Sequence, residues 1–155
     1  MAEKKTSIVL ADDHKIVRQG VRLLLEAESD FQIVGEAANG SDATRLVEEL
    51  KPDVLVVDLK MPGMSGIEVA KRAAAKSPHT RVIVLSMYSS EAYVVATLEA
   101  GARGYVLKES SSNELVQAIR HAINGGRYLS PPLSEQSIKS YQKKTGANRQ
   151  DNLAG

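Results

Sequence analysis

A chain of 155 residues, 43% hydrophobic and 25% charged, has the size and balance of one soluble globular domain. Twenty basic and nineteen acidic residues leave a formal charge of +1, which offers no general electrostatic ground for nucleic-acid binding. The absence of cysteine excludes a disulfide framework, a zinc ribbon, an iron–sulfur cluster and thiol catalysis, and no apolar run reaches membrane-spanning length.

The N-terminal Met1-Ala2-Glu3-Lys4-Lys5 is charged and lacks the apolar stretch of a signal peptide, so a cytoplasmic location is expected. A first strand is predicted over Ser7–Ala11, followed by a helix whose stripe is Val17, Val21, Leu24 and Leu25. A second strand, Phe31–Ala37, precedes a helix carrying Leu46, Val47 and Leu50. A third, Asp53–Asp58, precedes a helix with Ala70, Ala73 and Ala74, and a fourth, Arg81–Ser86, one with Val94, Val95 and Leu98. The fifth strand, Gly104–Lys108, leads to the cleanest stripe: Leu115, Ala118, Ile119, Ala122 and Ile123. A capping-box pattern, Ser111-Ser112-Asn113-Glu114, opens that helix and Gly125-Gly126 closes it. Pro52 and Pro78 stop the helices before two of the strands. From about Ser137 to Gly155 the chain holds Lys139, Lys143, Lys144 and Arg149 but few apolar residues and no helical stripe. That predicts a flexible linker.

Ile8-Val9-Leu10, Val54-Leu55-Val56-Val57 and Val82-Ile83-Val84-Leu85 are near-continuous apolar runs, as parallel strands covered on both faces require. Five βα units in succession predict an open parallel sheet with helices on both faces, joined by right-handed crossovers. In such a sheet ligands bind beyond the carboxyl ends of the strands. Asp12 and Asp13 follow the first strand; Asp58, Ser86 and Lys108 end the third, fourth and fifth. Each has an ordinary explanation alone, as a helix cap, a turn former or a solvated lysine. Together they converge on one crevice.

Three carboxylates in one crevice repel unless a cation or proton intervenes, and an all-oxygen site with few protein ligands suits Mg²⁺. A carboxylate can itself attack phosphorus and form an aspartyl phosphate. Lys108 then supplies positive charge and Ser86 a hydrogen bond to the transferred group. The loop Leu59-Lys60-Met61-Pro62-Gly63-Met64-Ser65-Gly66 is a tight turn that brings backbone N–H groups near. No Gly-rich Walker loop or dinucleotide fingerprint occurs, which argues against ATP or NAD as substrate.

At these residues the chain resembles a response-regulator receiver domain of two-component signalling. The matching stretches are Ala11-Asp12-Asp13-His14, Val57-Asp58 through Gly66, Leu85-Ser86-Met87-Tyr88, and Ala100-Gly101-Ala102-Arg103-Gly104-Tyr105-Val106-Leu107-Lys108. The resemblance implies a flavodoxin-like strand order 2-1-3-4-5, Asp58 as phosphoacceptor, and a histidine kinase as donor. Asp13, Asp58 and the Lys60 carbonyl would hold Mg²⁺, with Asp12 acting through metal-bound water. Ser86 and Lys108 would hold phosphoryl oxygens, and Tyr105 would switch with Ser86. The space left by a displaced Ser86 hydroxyl is expected to admit the Tyr105 ring. Lys60 and Tyr88 flank the route of an attacking water and are expected to tune the phosphoryl lifetime. Two departures from the family pattern stand out: Glu109 where many receivers carry proline, and Met87 where a small residue is common, which is expected to narrow entry to the site.

Leu85 through Tyr88, Tyr105 through Glu109, and Gly125 through Pro131 are similar to the NarL/FixJ (LuxR-type) branch. The organisation expected is a receiver over residues 6–130 and a linker over 131–155 leading to a helix-turn-helix DNA-binding domain absent from this chain. Homodimerisation on phosphorylation is the partner expectation, with DNA contacted only through that other domain and no membrane association. A stand-alone receiver acting through protein contacts is the alternative. A haloacid-dehalogenase-type hydrolase is disfavoured because Lys60 stands where a proton-donating carboxyl is needed. A flavin carrier is disfavoured because one Phe, five Tyr and no Trp leave little to stack on the ring. His14 and His121 read as ordinary helix-entry and solvated residues.

Overall fold

Val, Ile and Leu runs lie at the centre of a six-stranded parallel sheet in the order β2-β1-β3-β4-β5-β6. The structure, a computed structural model, describes residues 4–109, 112–131 and 133–154, with the side chains of 112 and 145–154 excepted. The strands are β1 (Thr6–Ala11), β2 (Phe31–Ala37), β3 (Val54–Asp58), β4 (Arg81–Ser86), β5 (Gly104–Leu107) and β6 (Tyr128–Leu129). The helices are α1 (Lys15–Glu26), α2 (Gly40–Leu50), α3 (Gly66–Lys76), α4 (Glu91–Glu99), α5 (Ser112–Ile123) and α6 (Glu135–Ala154). Ser111 of the expected capping box lies outside the described residues. Among the described residues no helix is long and apolar enough to cross a membrane.

Alternation along each strand builds two cores. Val9, Leu55, Val57, Val82, Val84, Tyr105 and Leu107 face the layer containing α2, α3 and α4. Ile8, Leu10, Val54, Val56, Ile83, Leu85 and Val106 face α1 and α5. Both sets are buried, which is why these runs are apolar at every position. Side chains one residue apart thus pin the register from both faces. Ile8 through Ala11 pair with Val54 through Val57, and Val54 through Asp58 with Arg81 through Leu85. The carboxyl ends of β1, β3, β4 and β5 therefore finish side by side.

Three expectations change. The sheet has a sixth strand where the sequence predicts five: Tyr128 and Leu129 pair with Gly104 and Tyr105. Two residues are too few to display a period of two. Val17 and Leu50, read as core stripe positions, are 38% and 45% exposed, so those stripes are narrower than predicted.

The third change is α6, which is helical where a flexible linker is predicted. Leu133 and Ile138 are buried, Tyr141 is half-buried, and all three join the core beside α4. Ser134 and Ser137 exchange backbone-to-hydroxyl bonds at the helix entry, each 3.1 Å long. Among the described side chains the apolar anchors of α6 lie at its start, and the sequence beyond them shows no sustained stripe. Replacing Ile138 with alanine removes about 2–5 kcal/mol of burial. The amides of the first α6 turns should then exchange with solvent at least about tenfold faster, while sheet amides keep their protection. Equal exchange in the two chains would refute docking through Ile138.

One ion-pair network ties β2 to α1. Glu36, at the end of β2, accepts from Arg18 Nε at 3.0 Å and from Arg22. Burial works to raise the Glu36 pKa, but the bonds from Arg22 and Arg18 outweigh it and hold the carboxyl below its ordinary range. A lowered folded-state pKa stabilises the fold above the unfolded value, near about pH 4.3, and that contribution fades as pH falls through the folded value. Glu36→Gln should therefore cost about 1 kcal/mol at pH 7 and progressively less as pH is lowered below the unfolded value, measured by chemical denaturation across that range.

Candidate functional site

β1 ends at Ala11, and the chain turns sharply because the Asp12 carboxylate accepts the His14 N–H at 2.8 Å. Asp12 thus forms a turn ahead of α1, whose cap position is His14, and it is also 4% exposed beside a second carboxylate. That neighbour is Asp58, likewise 4% exposed, delivered by the last residue of β3. From the end of β5, Lys108 Nζ reaches both, at 3.0 Å from Asp58 Oδ2 and 3.4 Å from Asp12 Oδ2. One ammonium bridges carboxylates 50 and 96 positions away along the chain. Only the parallel sheet brings them together.

Asp13 completes the acidic group. Ligand atoms of Asp12, Asp13, His14 and Asp58 all lie within 4.8 Å of one another. Asp13 Oδ1 is buried without a hydrogen-bond partner, although His14 Nδ1 stands 3.2 Å away. A buried acceptor left in that state demands a compensating donor or cation.

The loop after β3 is shaped by its glycines. Gly63 adopts φ +79°, a left-handed conformation that suits glycine. A Cβ on Gly66 would stand 2.5 Å from the Asp58 carbonyl oxygen, so only glycine lets α3 begin this close to the strand end. The Gly66 N–H donates to Leu59 O at 2.9 Å and closes the loop. The Lys60 backbone N–H donates to the Asp58 carboxylate, as the composition of the loop predicts.

Electrostatics set Asp58 apart. Burial pushes its pKa up, the Lys108 bond and charge oppose the rise, and the Asp12 charge adds to it; the net direction is upward. For Lys108, burial favours the neutral amine, but the bond to Asp58 and the charges of Asp58 and Asp12 prevail and raise the pKa. The ammonium therefore stays charged at neutral pH.

Ser86 is fully buried, and its Oγ is already engaged. It accepts from the Tyr88 N–H at 2.9 Å and from the Tyr105 hydroxyl at 2.8 Å. The Tyr105 hydroxyl also lies 2.6 Å from the Tyr88 carbonyl. The sequence reading expects the space left by a displaced Ser86 hydroxyl to admit the Tyr105 ring. In the structure that ring is already inside and fully buried, because its hydroxyl finds two partners there. Burial raises the Tyr105 pKa, the Ser86 bond lowers it and the Tyr93 charge raises it, with the net upward.

Lys60 and Tyr88 stand two residues beyond Asp58 and Ser86, and their side chains meet. Lys60 Nζ lies 5.5 Å from the Tyr88 ring centre. Tyr93 of α4 joins them, a contact that no spacing in the sequence announces. Met87 is 74% exposed and lines a surface cleft with Lys108 and Glu109.

The family profile of the response regulator receiver domain matches residues 8–120. The chain belongs to the response-regulator receiver family. This receiver is 36% identical over 149 residues to the transcriptional regulatory protein DegU of Brevibacillus brevis, covering 96% of the chain and 63% of that relative. It thus spans less than two thirds of that relative's length. It is also similar to a two-component response regulator of the LuxR family from Aurantimonas sp. SI85-9A1. There the TM-score is 0.83 at 39% identity, covering 90% of this chain and 99% of that one. The signal receiver domain of the putative response regulator NarL from Mycobacterium tuberculosis matches with a TM-score of 0.76 at 36% identity, over 79% of this chain and 99% of that one. The NarL/LuxR-type branch is the one that the sequence resemblance implies.

Proposed function

We propose that this receiver accepts a phosphoryl group on Asp58 from a histidine kinase, and that the transfer requires Mg²⁺. The observation that carries the reading is the single Lys108 ammonium shared by two buried carboxylates at 3.0 and 3.4 Å. A cation so placed can stay with the phosphoryl oxygens once Asp58 is esterified, offsetting charge where it develops. In the transfer an Asp58 carboxylate oxygen forms the new bond to phosphorus. The bond from phosphorus to the donor's imidazole nitrogen breaks, and its electron pair stays on that nitrogen.

The donor set fits Mg²⁺. It is oxygen-rich and holds the buried Asp13 Oδ1, which accepts no hydrogen bond. Asp13, Asp58 and the Lys60 carbonyl would hold the ion, with Asp12 acting through metal-bound water. Bound there, Mg²⁺ neutralises repulsion between the carboxylates and the incoming phosphoryl oxygens. The chain's own residues do the rest: the Lys60 N–H orients Asp58, and Lys108 anchors the product.

Switching follows from competition for Ser86. A phosphoryl oxygen attracts the Ser86 hydroxyl, which breaks its bond with Tyr105 and leaves that ring with the Tyr88 carbonyl alone. The balance between arrangements of α4, β5 and α5 then shifts. Homodimerisation on this shift suits the reading, as does a cytoplasmic site of action beside a kinase. Output through DNA is drawn from the relatives named as transcriptional regulators. It belongs to a helix-turn-helix domain outside these 155 residues.

Incubation with Mg²⁺ and acetyl phosphate should add one phosphate to the chain, mapped to Asp58 by peptide mass. Chelating Mg²⁺ should abolish the gain, and Asp13→Ala should lose the metal's effect. An unlabelled chain would refute the reading.

A further inference from the structure

Tyr93 sits on α4, outside every stretch that resembles the family's site motifs, yet it touches Lys60 and Tyr88, the two side chains expected to tune the phosphoryl lifetime. Its ring centre lies 5.1 Å from Lys60 Nζ and 5.2 Å from the Tyr88 ring centre, with the rings tilted by 41°. Its hydroxyl is 3.4 Å from Lys60 Nζ. Lys60 and Tyr88 are exposed and sit on separate loops, so neither is held by packing alone. Tyr93 is anchored: it is half-buried against the core, the next residues Val94 and Val95 are buried, and Thr97 Oγ1 donates to its carbonyl at 2.7 Å.

A cation lying over two neighbouring rings is attracted to both, and the two rings add their own tilted contact. The three side chains therefore form one unit with its fixed member on α4. We propose that Tyr93 is a positioning residue for the phosphoryl group: it holds the Lys60 ammonium and the Tyr88 ring across the mouth of the Asp58 crevice and so slows hydrolysis. In that hydrolysis a water oxygen bonds to phosphorus, and the bond from phosphorus to the Asp58 oxygen breaks. Its electron pair returns to the carboxylate, a water proton passes to solvent, and inorganic phosphate leaves. A shield fixed over the mouth restricts the path of that water. Because the fixed member belongs to α4, a shift of α4 also alters the lifetime of the signal that caused it.

This inference rests on Asp58 as the acceptor, and the test separates the two. The chain is labelled with Mg²⁺ and acetyl phosphate, freed of donor, and phosphate loss is followed by intact mass. Tyr93→Leu, which keeps apolar bulk but no π face, should lose phosphate about two- to fivefold faster. Tyr93→Phe keeps the ring and should stay close to the unmodified rate. In a chain already carrying Lys60→Met and Tyr88→Ala, Tyr93→Leu should add nothing further. An unchanged or slower rate in Tyr93→Leu would overturn the proposal. So would Tyr93→Phe behaving like Tyr93→Leu, or acceleration persisting without Lys60 and Tyr88. An unmodified chain that takes no label would overturn the acceptor reading itself, and the proposal with it.

Discussion

Asp58→Asn should take no phosphate under conditions where the unmodified chain is labelled to completion. A carboxamide oxygen carries no full charge and its nitrogen is not basic, so neither attacks phosphorus as a carboxylate does. The substitution is nearly isosteric, and the carboxamide oxygen it introduces can still accept from Lys108. The fold should therefore persist, and the loss can be assigned to chemistry. The prediction also discriminates among neighbours. Asp12, Asp13 and His14 all have ligand atoms within 4.8 Å of the same group. A phosphate carried by Asp12 or Asp13 would be an acyl phosphate that hydroxylamine cleaves, whereas one on His14 would be acid-labile. Intact mass after each treatment reads the difference. Label retained on Asp58→Asn, of either kind, would remove Asp58 from the mechanism.

Lys108→Met should produce the second large effect, this time on stability. Its side chain is 20% exposed and bonds to two carboxylates that are each 6% exposed. Taking away the cation leaves buried like charges facing one another, and breaking a buried pair costs about 3–5 kcal/mol. Partial exposure of the ammonium reduces that figure, so about 2–3 kcal/mol is expected at pH 7 without divalent ions. For a domain of this size the loss corresponds to a fall in Tm of about 5–10 °C. Added Mg²⁺ should recover much of it, since a divalent ion at Asp13 and Asp58 relieves the same repulsion. Protonating Asp58, whose pKa burial already pushes up, should do likewise, so the gap between the two chains should narrow as pH falls. A Tm independent of Lys108 in the absence of metal would contradict the electrostatic account of the crevice.

These two results bear on a site that was legible before folding, and the reason is local. Apolar runs of four residues such as Val54 through Val57 and Val82 through Leu85 suit strands buried on both faces, and they are followed at once by Asp58 and Ser86. Parallel pairing then places strand ends side by side, so the residue after each run is a site residue by construction. Lys108 meets Asp58 for that reason, across 50 positions of chain. Gly63 and Gly66 were legible as turn residues because a positive φ at the first and a close backbone approach at the second each exclude a side chain.

What stayed hidden depended on contacts between elements, not on patterns within them. β6 consists of two residues whose pairing with β5 depends on the edge that β5 leaves open. α6 has too few apolar positions to advertise a helix, and it is held where Leu133 and Ile138 find the core beside α4. The Tyr105 ring lies inside because two acceptors, Ser86 Oγ and the Tyr88 carbonyl, happen to stand within reach of its hydroxyl. Tyr93 reaches Lys60 only through the packing of α4 beside the loop that follows β3. The sequence by itself therefore determined the strands, the sheet type and the residues at the strand ends, because period and hydrophobicity are properties of neighbouring residues. Tertiary structure alone decided the helix that covers α4, the inward tyrosine and the aromatic contact of Tyr93, because each depends on distances between segments that no local period encodes.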